Sequence, residues 1–188
     1  MLLRAHDIVL HGNLVTLRPL TEEDWDILLR WNSDPDVLYF ADGEDVSSYD
    51  LPTVQSIYRT VSQNAFCFII ELGGQPIGEG WLQQMNVERL LTKYAGKDCR
   101  RIDLMIGEKQ FWGQGLGTDT IRTLTRFGFE TEAADLIFGL VDDYNQRSRR
   151  AFQKVGYTID AEIPQPPGGK ASVSYDLVIS RSRNGWNM

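Results

Sequence analysis

Arg101-Ile102-Asp103-Leu104-Met105-Ile106-Gly107 runs through a short link into Phe111-Trp112-Gly113-Gln114-Gly115-Leu116-Gly117-Thr118, after which Ile121, Leu124 and Phe127 recur at helical spacing. The order reads as a strand, a loop, a glycine-rich turn and a helix. Three glycines at alternate positions clear the backbone of Cβ atoms, so that its N–H groups can converge on one point. The helix that follows adds unpaired N–H groups and the positive end of its dipole. Such a turn either cradles an anion, a phosphate or pyrophosphate above all, or only breaks the chain before a helix. A Walker loop ends in Gly-Lys-Ser/Thr and a dinucleotide fingerprint is spaced GxGxxG. Gly113, Gly115 and Gly117 fit neither.

Composition bounds the rest. The 188 residues suffice for one well-buried domain spanning 1–188, and 42% hydrophobic with 24% charged content is ordinary for a globular protein. Apolar runs fall short of a membrane span, and Arg4 and Asp7 come too early for a secretory signal, so a cytoplasmic protein without a membrane partner is expected. A net charge of −7 disfavours nucleic acid as a partner and suits a cationic ligand, although acidity also serves plain solubility. Cys67, inside an apolar run, reads as a core residue; Cys99, in a polar stretch, is either inert or a reactive thiol. With His6 and His11 they make no metal-site spacing, and no metal is expected.

Downstream of the turn, Leu136 to Val141 reads as a short buried strand. Asn145 to Val155 reads as a helix with Ala151, Phe152 and Val155 inward and arginines outward. Gly156-Tyr157 starts another strand, Ser172 to Ser180 alternates strictly as a last one, and the tail 181–188 is expected to fray. Upstream, Phe66 to Leu72 and Gln75 to Met85 form a hairpin about Gly73-Gly74, where Gly78 and Gly80 mark a close approach or a bulge. Asn13 to Pro19 alternates as a first strand, and Thr21 caps a helix that stops before Pro35. A second helix runs from Asp50 or Pro52 to Gln63. Leu38 to Asp45, aromatic then acidic, reads as a loop: an anchored connection, or one wall of a site for a polycation. Asn86 to Arg100 has no period and reads as a long mobile connection of the kind that forms part of a substrate site.

Trp112-Gly113-Gln114-Gly115-Leu116-Gly117 resembles the Arg/Gln-x-x-Gly-x-Gly/Ala loop of the GNAT superfamily of acetyl-CoA-dependent N-acetyltransferases, with Trp112 in place of the Arg or Gln. Asn145-Gln146-Arg147-Ser148-Arg149-Arg150-Ala151-Phe152-Gln153-Lys154-Val155-Gly156-Tyr157 resembles the family's Asn-x-x-Ser/Ala-x-x-x-Tyr-x-Lys-x-Gly-Phe signature. Asp103-Leu104-Met105-Ile106-Gly107-Glu108 and Pro76-Ile77-Gly78-Glu79-Gly80 are similar to segments of the aminoglycoside 6′-N-acetyltransferases. The resemblance implies an α/β (α+β) fold, a mixed central sheet of about six to seven strands flanked by about four helices. It also implies acetyl-CoA as the acetyl donor and direct attack by an amine in a ternary complex.

By the same resemblance, Leu104, Met105 and Ile106 run beside the pantetheine arm. Trp112, Gly113, Gln114, Gly115, Leu116, Gly117 and Thr118 surround the pyrophosphate, and Asn145 and Ser148 stand near the thiol end. Arg147 or Arg149 either meets a CoA phosphate or faces solvent. An attacking amine must shed a proton, and Asp103 is the candidate to orient the ammonium and take it, or else simply pairs with Arg101. Tyr39, Asp42, Glu79 and Asp103, with Asp142 or Asp143, are candidate contacts for a small cationic amine, in the first instance an aminoglycoside. Phe152 stands where the family's tyrosine protonates the leaving thiolate, so that proton comes from elsewhere or the thiolate leaves without it. Acetylation of a protein N-terminus or other small amine, and a non-catalytic acyl-CoA sensor, are the alternatives. A monomer or a homodimer is expected.

Overall fold

β3 (Ala65–Leu72) and β4 (Gln75–Gln84) alternate faces residue by residue, and that alternation divides the core in two. The computed structural model describes residues 1–41 and 46–181. Phe68 and Ile70 meet α5 (Leu116–Glu130) and α6 (Gln146–Val155) on one face, through Ile121, Leu124, Phe127 and Phe152. Cys67 and Ile69 meet α1 (Trp25–Trp31) and α3 (Leu51–Val61) on the other, through Leu28, Trp31, Val54 and Tyr58. The remaining strands are β1 (Leu10–His11), β2 (Thr16–Pro19), β5 (Cys99–Ile106), β6 (Leu136–Asp142), β7 (Thr158–Pro164) and β8 (Val173–Ser180). They join one sheet in the order β1-β2-β3-β4-β5-β6-β8-β7, in which only β5 and β6 are parallel neighbours.

The mixed sheet agrees with the expectation, but among the described residues it has eight strands rather than six to seven, and there are six α-helices rather than four. The unforeseen elements are short. β1 has two residues, while α2 (Pro35–Ala41) and α4 (Glu88–Lys93) have seven and six, too few to show a period. Leu38 to Ala41 is therefore helix, not loop: Pro35 suits a first turn, and the Asp34 carbonyl accepts from Val37 and Leu38 at 3.1 and 3.0 Å. The acidic half of that segment, Asp42 to Asp45, and the tail 182–188 lie outside the described residues.

Asn86 to Arg100 is no free connection either. Arg89 of α4 pairs with the buried Asp176 of β8, Lys93 lies 2.8 Å from Asp160 of β7, and Leu90 and Tyr94 pack on Phe138. Charge pairs rather than an apolar stripe hold the helix, which is why its sequence looks like loop. Thr21 caps as read, accepting from the Glu23 N–H at 3.3 Å while Asp24 accepts from the Thr21 N–H at 2.8 Å.

Two anchors hold the glycine-rich turn. Gly107 lies flat on the Trp31 indole, where a Cβ would collide, and Glu108 accepts from Trp31 Nε1 at 2.9 Å and pairs with Arg30. Asp119, in the first turn of α5, accepts from the N–H groups of Leu14 and Val15 at 2.7 and 3.2 Å. The feature that positions the site lies between β5 and β6. Cys99, Arg100 and Arg101 pair with Leu136, Ile137 and Phe138, and there the ladder ends. β5 continues to Ile106 paired only with β4, and β6 to Asp142 paired only with β8, so the sheet opens between them as a cleft.

Arg89→Ala leaves the 1%-exposed Asp176 carboxylate without its partner and is expected to destabilise the fold by about 1–3 kcal/mol. The double variant with Asp176→Asn is expected to regain part of that loss in a denaturant titration.

Candidate active site

Two cavities, of about 330 and 360 Å³, lie where β5 and β6 part. Phe40, Ala41, Leu104, Met105, Asn145 and Ser148 line both, so the two spaces adjoin. The larger one is bounded by Leu104 to Ile106, by Trp112, Gly113, Gly115, Leu116, Gly117 and Thr118, and by Arg147 on α6. Gly113 and Gly115 take φ values of 78° and 83°, which glycine adopts without strain. Gly117 is different: it sits inside the first turn of α5, and a Cβ there would meet only Leu104, at 3.6 Å. The fold needs the first two glycines and leaves the third free for a ligand's approach. Gln114 lines neither cavity; its side-chain amide donates to the Gln110 carbonyl at 2.8 Å.

Trp112 Nε1 donates to the Ile106 carbonyl at 2.7 Å, so the Ile106 peptide faces the cleft. Leu104, two residues along the strand, presents its N–H and C=O to the same side, where β6 no longer pairs. Asn145 caps α6, accepting from the Ser148 N–H at 3.2 Å, and donates to the Phe40 carbonyl at 3.0 Å, which ties α6 to α2 across the mouth of the cleft. Arg147 is exposed, as expected of the α6 arginines, and still lies over two rings. Its guanidinium stands 4.1 Å from the Trp112 ring centroid and 4.3 Å from that of Phe40, and burial pulls its pKa down. The signal in the sequence was Trp112 itself, a ring where the family carries Arg or Gln, which receives a cation from α6 instead. Arg149 lies over Tyr175 at 4.6 Å and lines neither cavity.

The smaller cavity holds the carboxylates. Register sets Glu79 opposite Met105 and Trp81 opposite Asp103, so all four side chains share one face of the sheet. Asp103 Oδ2 accepts from Arg101 Nε at 2.6 Å, Gln83 Nε2 at 2.7 Å and Trp81 Nε1 at 3.0 Å. The Arg101 ion pair and the placement in a cavity therefore hold together. Glu79 is only 4% exposed, and among the described residues its Oε2 has no hydrogen-bond partner. Burial, with the charge of Asp103 second, raises its pKa well above the ordinary 4.5, against the pull of the Tyr58 hydroxyl. Burial likewise raises the Tyr58 pKa, and Glu79 adds to that.

Asp142 lines this cavity and accepts from the Ser174 hydroxyl. Asp143 does not; its carboxylate accepts from the Ser172 N–H at 3.2 Å, because neighbouring residues at a strand end point apart. Tyr39 is also outside the lining. It is 48% exposed and stacks on Tyr144 at 5.4 Å, while Phe40 and Tyr144 reach the cavity. Asp42 lies outside the described residues. Phe152 is buried beside Gly139 and contributes a ring without a hydroxyl. Asn32, Tyr58 and Trp81 complete the walls; they went unread because only tertiary packing brings α1, α3 and β4 together. Cys67 and Cys99 are both buried, and burial raises both thiols, so neither is a reactive nucleophile. Among the described residues no group of three His, Cys, Asp or Glu is placed to hold a metal.

Gly117→Ala, at a helical φ with open space, is expected to keep or slightly raise stability, whereas Gly115→Ala should cost about 1–2 kcal/mol for its left-handed backbone. Thermal melts of the two variants compare them directly. The raised pKa of Glu79 has a definite sign. Below 4.5 both the folded and unfolded forms carry the proton, and as pH rises the unfolded chain ionises first, so this residue costs stability. Glu79→Gln should therefore gain on wild type by up to about 1.4 kcal/mol per pH unit on going from acid to neutral pH. Denaturation curves that stay parallel across that range would contradict the assignment.

A family model described as an acetyltransferase (GNAT) domain matches residues 15–158. The chain is 25% identical over 173 residues to an aminoglycoside N(6′)-acetyltransferase type 1 of Klebsiella pneumoniae, covering 87% of this chain and 84% of that one. Its fold is similar to that of AAC(6′)-Ib in complex with ribostamycin and coenzyme A, with a TM-score of 0.77, 22% identity and coverage of 92% of this chain and 99% of that one. It is also similar to spermidine N-acetyltransferase from Vibrio cholerae in complex with CoA and spermine, with a TM-score of 0.74, 15% identity and coverage of 91% and 98%. An eight-stranded mixed sheet opened beside a glycine turn, with the family model spanning most of it, leads to one conclusion: the chain belongs to the GNAT acetyltransferases and is an acyltransferase.

Proposed function

We propose that this protein transfers the acetyl group of acetyl-CoA to a primary amine of a small polycation, an aminoglycoside 6′-amine first among them, by direct attack in a ternary complex. One observation carries the proposal. The cavity at the glycine turn adjoins a second cavity in which Glu79, Asp103 and Asp142 stand among the rings of Phe40, Tyr49, Tyr58, Trp81 and Tyr144. Carboxylates and aromatic faces together suit an ammonium group. The likeness to a Klebsiella aminoglycoside acetyltransferase supports that acceptor class. Use of acetyl-CoA also agrees with the cytoplasmic location suggested by the sequence, and among the described residues no helix is long and apolar enough to cross a membrane.

In this proposal Gly113, Gly115, Leu116, Gly117 and Thr118 receive the pyrophosphate at the start of α5, and Gln114 contributes backbone alone. Arg147, braced by Trp112 and Phe40, supplies the counter-charge. The unpaired edge of β5 at Leu104, Met105 and Ile106 takes the amide-bearing arm as an added strand would. The Leu104 N–H is the donor available to an oxyanion on the acyl carbon. Asn145 and Ser148 shape the junction of the cavities, and Asp103 and Asp142 hold the acceptor's charge. Acetyl-CoA, when bound, supplies the activated acyl carbon.

The test is thiol release from acetyl-CoA with kanamycin, spermine and short peptides as acceptors. Turnover with kanamycin supports the proposal, turnover with spermine alone moves the acceptor to the polyamines, and turnover with peptides alone removes the small polycation. Asp103→Asn is expected to lower kcat about 100-fold while acetyl-CoA affinity stays nearly unchanged.

A further inference from the structure

We propose that Glu79 is the group that takes the proton from the attacking amine, while Asp103 holds the amine's charge, and that Glu79 is readied for this by losing its own proton to solvent when the acceptor ammonium enters. The proposal rests on the acetyl-transfer reading above. Two carboxyls line one cavity from one face of the sheet, as diagonal neighbours across β4 and β5. Their surroundings differ sharply. Asp103 Oδ2 is spent on three protein donors, at 2.6, 2.7 and 3.0 Å, so what it offers an acceptor is negative charge. Glu79 is 4% exposed, and its Oε2 has no hydrogen-bond partner among the described residues.

An unpartnered buried oxygen is costly, and one that lines a cavity is open to a donor on a ligand. The titratable groups that face Glu79 are Asp103 and Arg101 on β5, Tyr58 on α3 and Cys67 on β3, with Tyr49, Asp142 and Tyr144 lining the same cavity. Arg101, which lines the cavity, is already paired with Asp103 at 2.6 Å. The site thus pairs a carboxyl held in an ion pair with one whose charge burial disfavours, a division of labour typical of acid–base pairs.

The proton count closes. An ammonium entering beside both carboxyls favours the ionised form of Glu79, whose proton leaves for solvent. The ammonium then passes one proton to Glu79 and becomes a neutral amine. Its lone pair forms the C–N bond to the acyl carbon, the C–S bond breaks, and the surplus nitrogen proton leaves with the thiolate as a thiol. Glu79 ends protonated, as it began. The net change, ammonium plus thioester to amide plus thiol plus one proton, is met by the proton released on binding. A hydroxyl in the same place brings no charge, leaves Glu79 protonated and finds no base, so the device also selects amines over alcohols.

An infrared difference spectrum of the full chain at neutral pH, wild type minus Glu79→Gln, reads the carboxylic-acid carbonyl stretch of this one residue. The band is expected in the free protein and is expected to vanish with saturating kanamycin or spermine. Its absence from the free protein, or its persistence with both amines, overturns the proposal. Turnover separates the two claims: acetylation with a persistent band sinks the proton exchange alone, and band loss without acetylation sinks the transfer alone. In an active enzyme Glu79→Gln should also lower kcat about 100-fold and remove the acidic limb of the pH–rate profile, while the carboxyl of Glu79→Asp restores that limb.

Discussion

The early end of the β5–β6 ladder is the constraint on which the site depends. Parallel strands normally bury their inner edge by continuous pairing, yet here three pairs form and the strands then part. What keeps them apart is specific. Trp112 occupies the Ile106 carbonyl, Gly139 on β6 gives its surface to the Phe152 ring, and Asn145 bridges α6 to the Phe40 carbonyl over the opening. The cleft therefore has an unpaired backbone edge on one side, a helix N-terminus at one end and carboxylates at the other. The parts of the cleft are arranged along a line by the topology.

Charge follows the same division. The turn and Arg147 lie at one end of the cleft, and the carboxyls of Glu79, Asp103 and Asp142 at the other. In the proposed function, a donor rich in phosphate and an acceptor rich in ammonium would be sorted to opposite ends before any close contact is made. Register does the fine placement: on β4 and β5 a shift of one residue would turn Glu79 and Asp103 to the face packed by α5 and α6.

Much of this was legible in the sequence wherever the signal is local. The Gly73-Gly74 hairpin, the Thr21 cap, the glycine turn and the Asn145 start of α6 each depend on residues within a few positions of one another. The site was less legible because it is built across the chain. α2 and α4 are too short to show a period, and α4 is held by Arg89 and Lys93 through charge. Arg147 is exposed as read, but nothing in its own helix reveals the Trp112 and Phe40 rings beneath it. Asp142 and Asp143 were equivalent until the end of β6 turned them apart. Glu79 was read as an acceptor contact, but its burial beside Tyr58 with Oε2 unpartnered among the described residues is a property of packing alone.

The most direct test of the central claim is a crystal structure of the protein with acetyl-CoA bound. The account predicts the pantetheine arm lying along Leu104 to Ile106 in the gap beyond Arg101, with the thioester facing the cavity of Asp103 and Glu79. An arm bound elsewhere, or β5 and β6 paired past Arg101 and Phe138 with the gap closed, would contradict it.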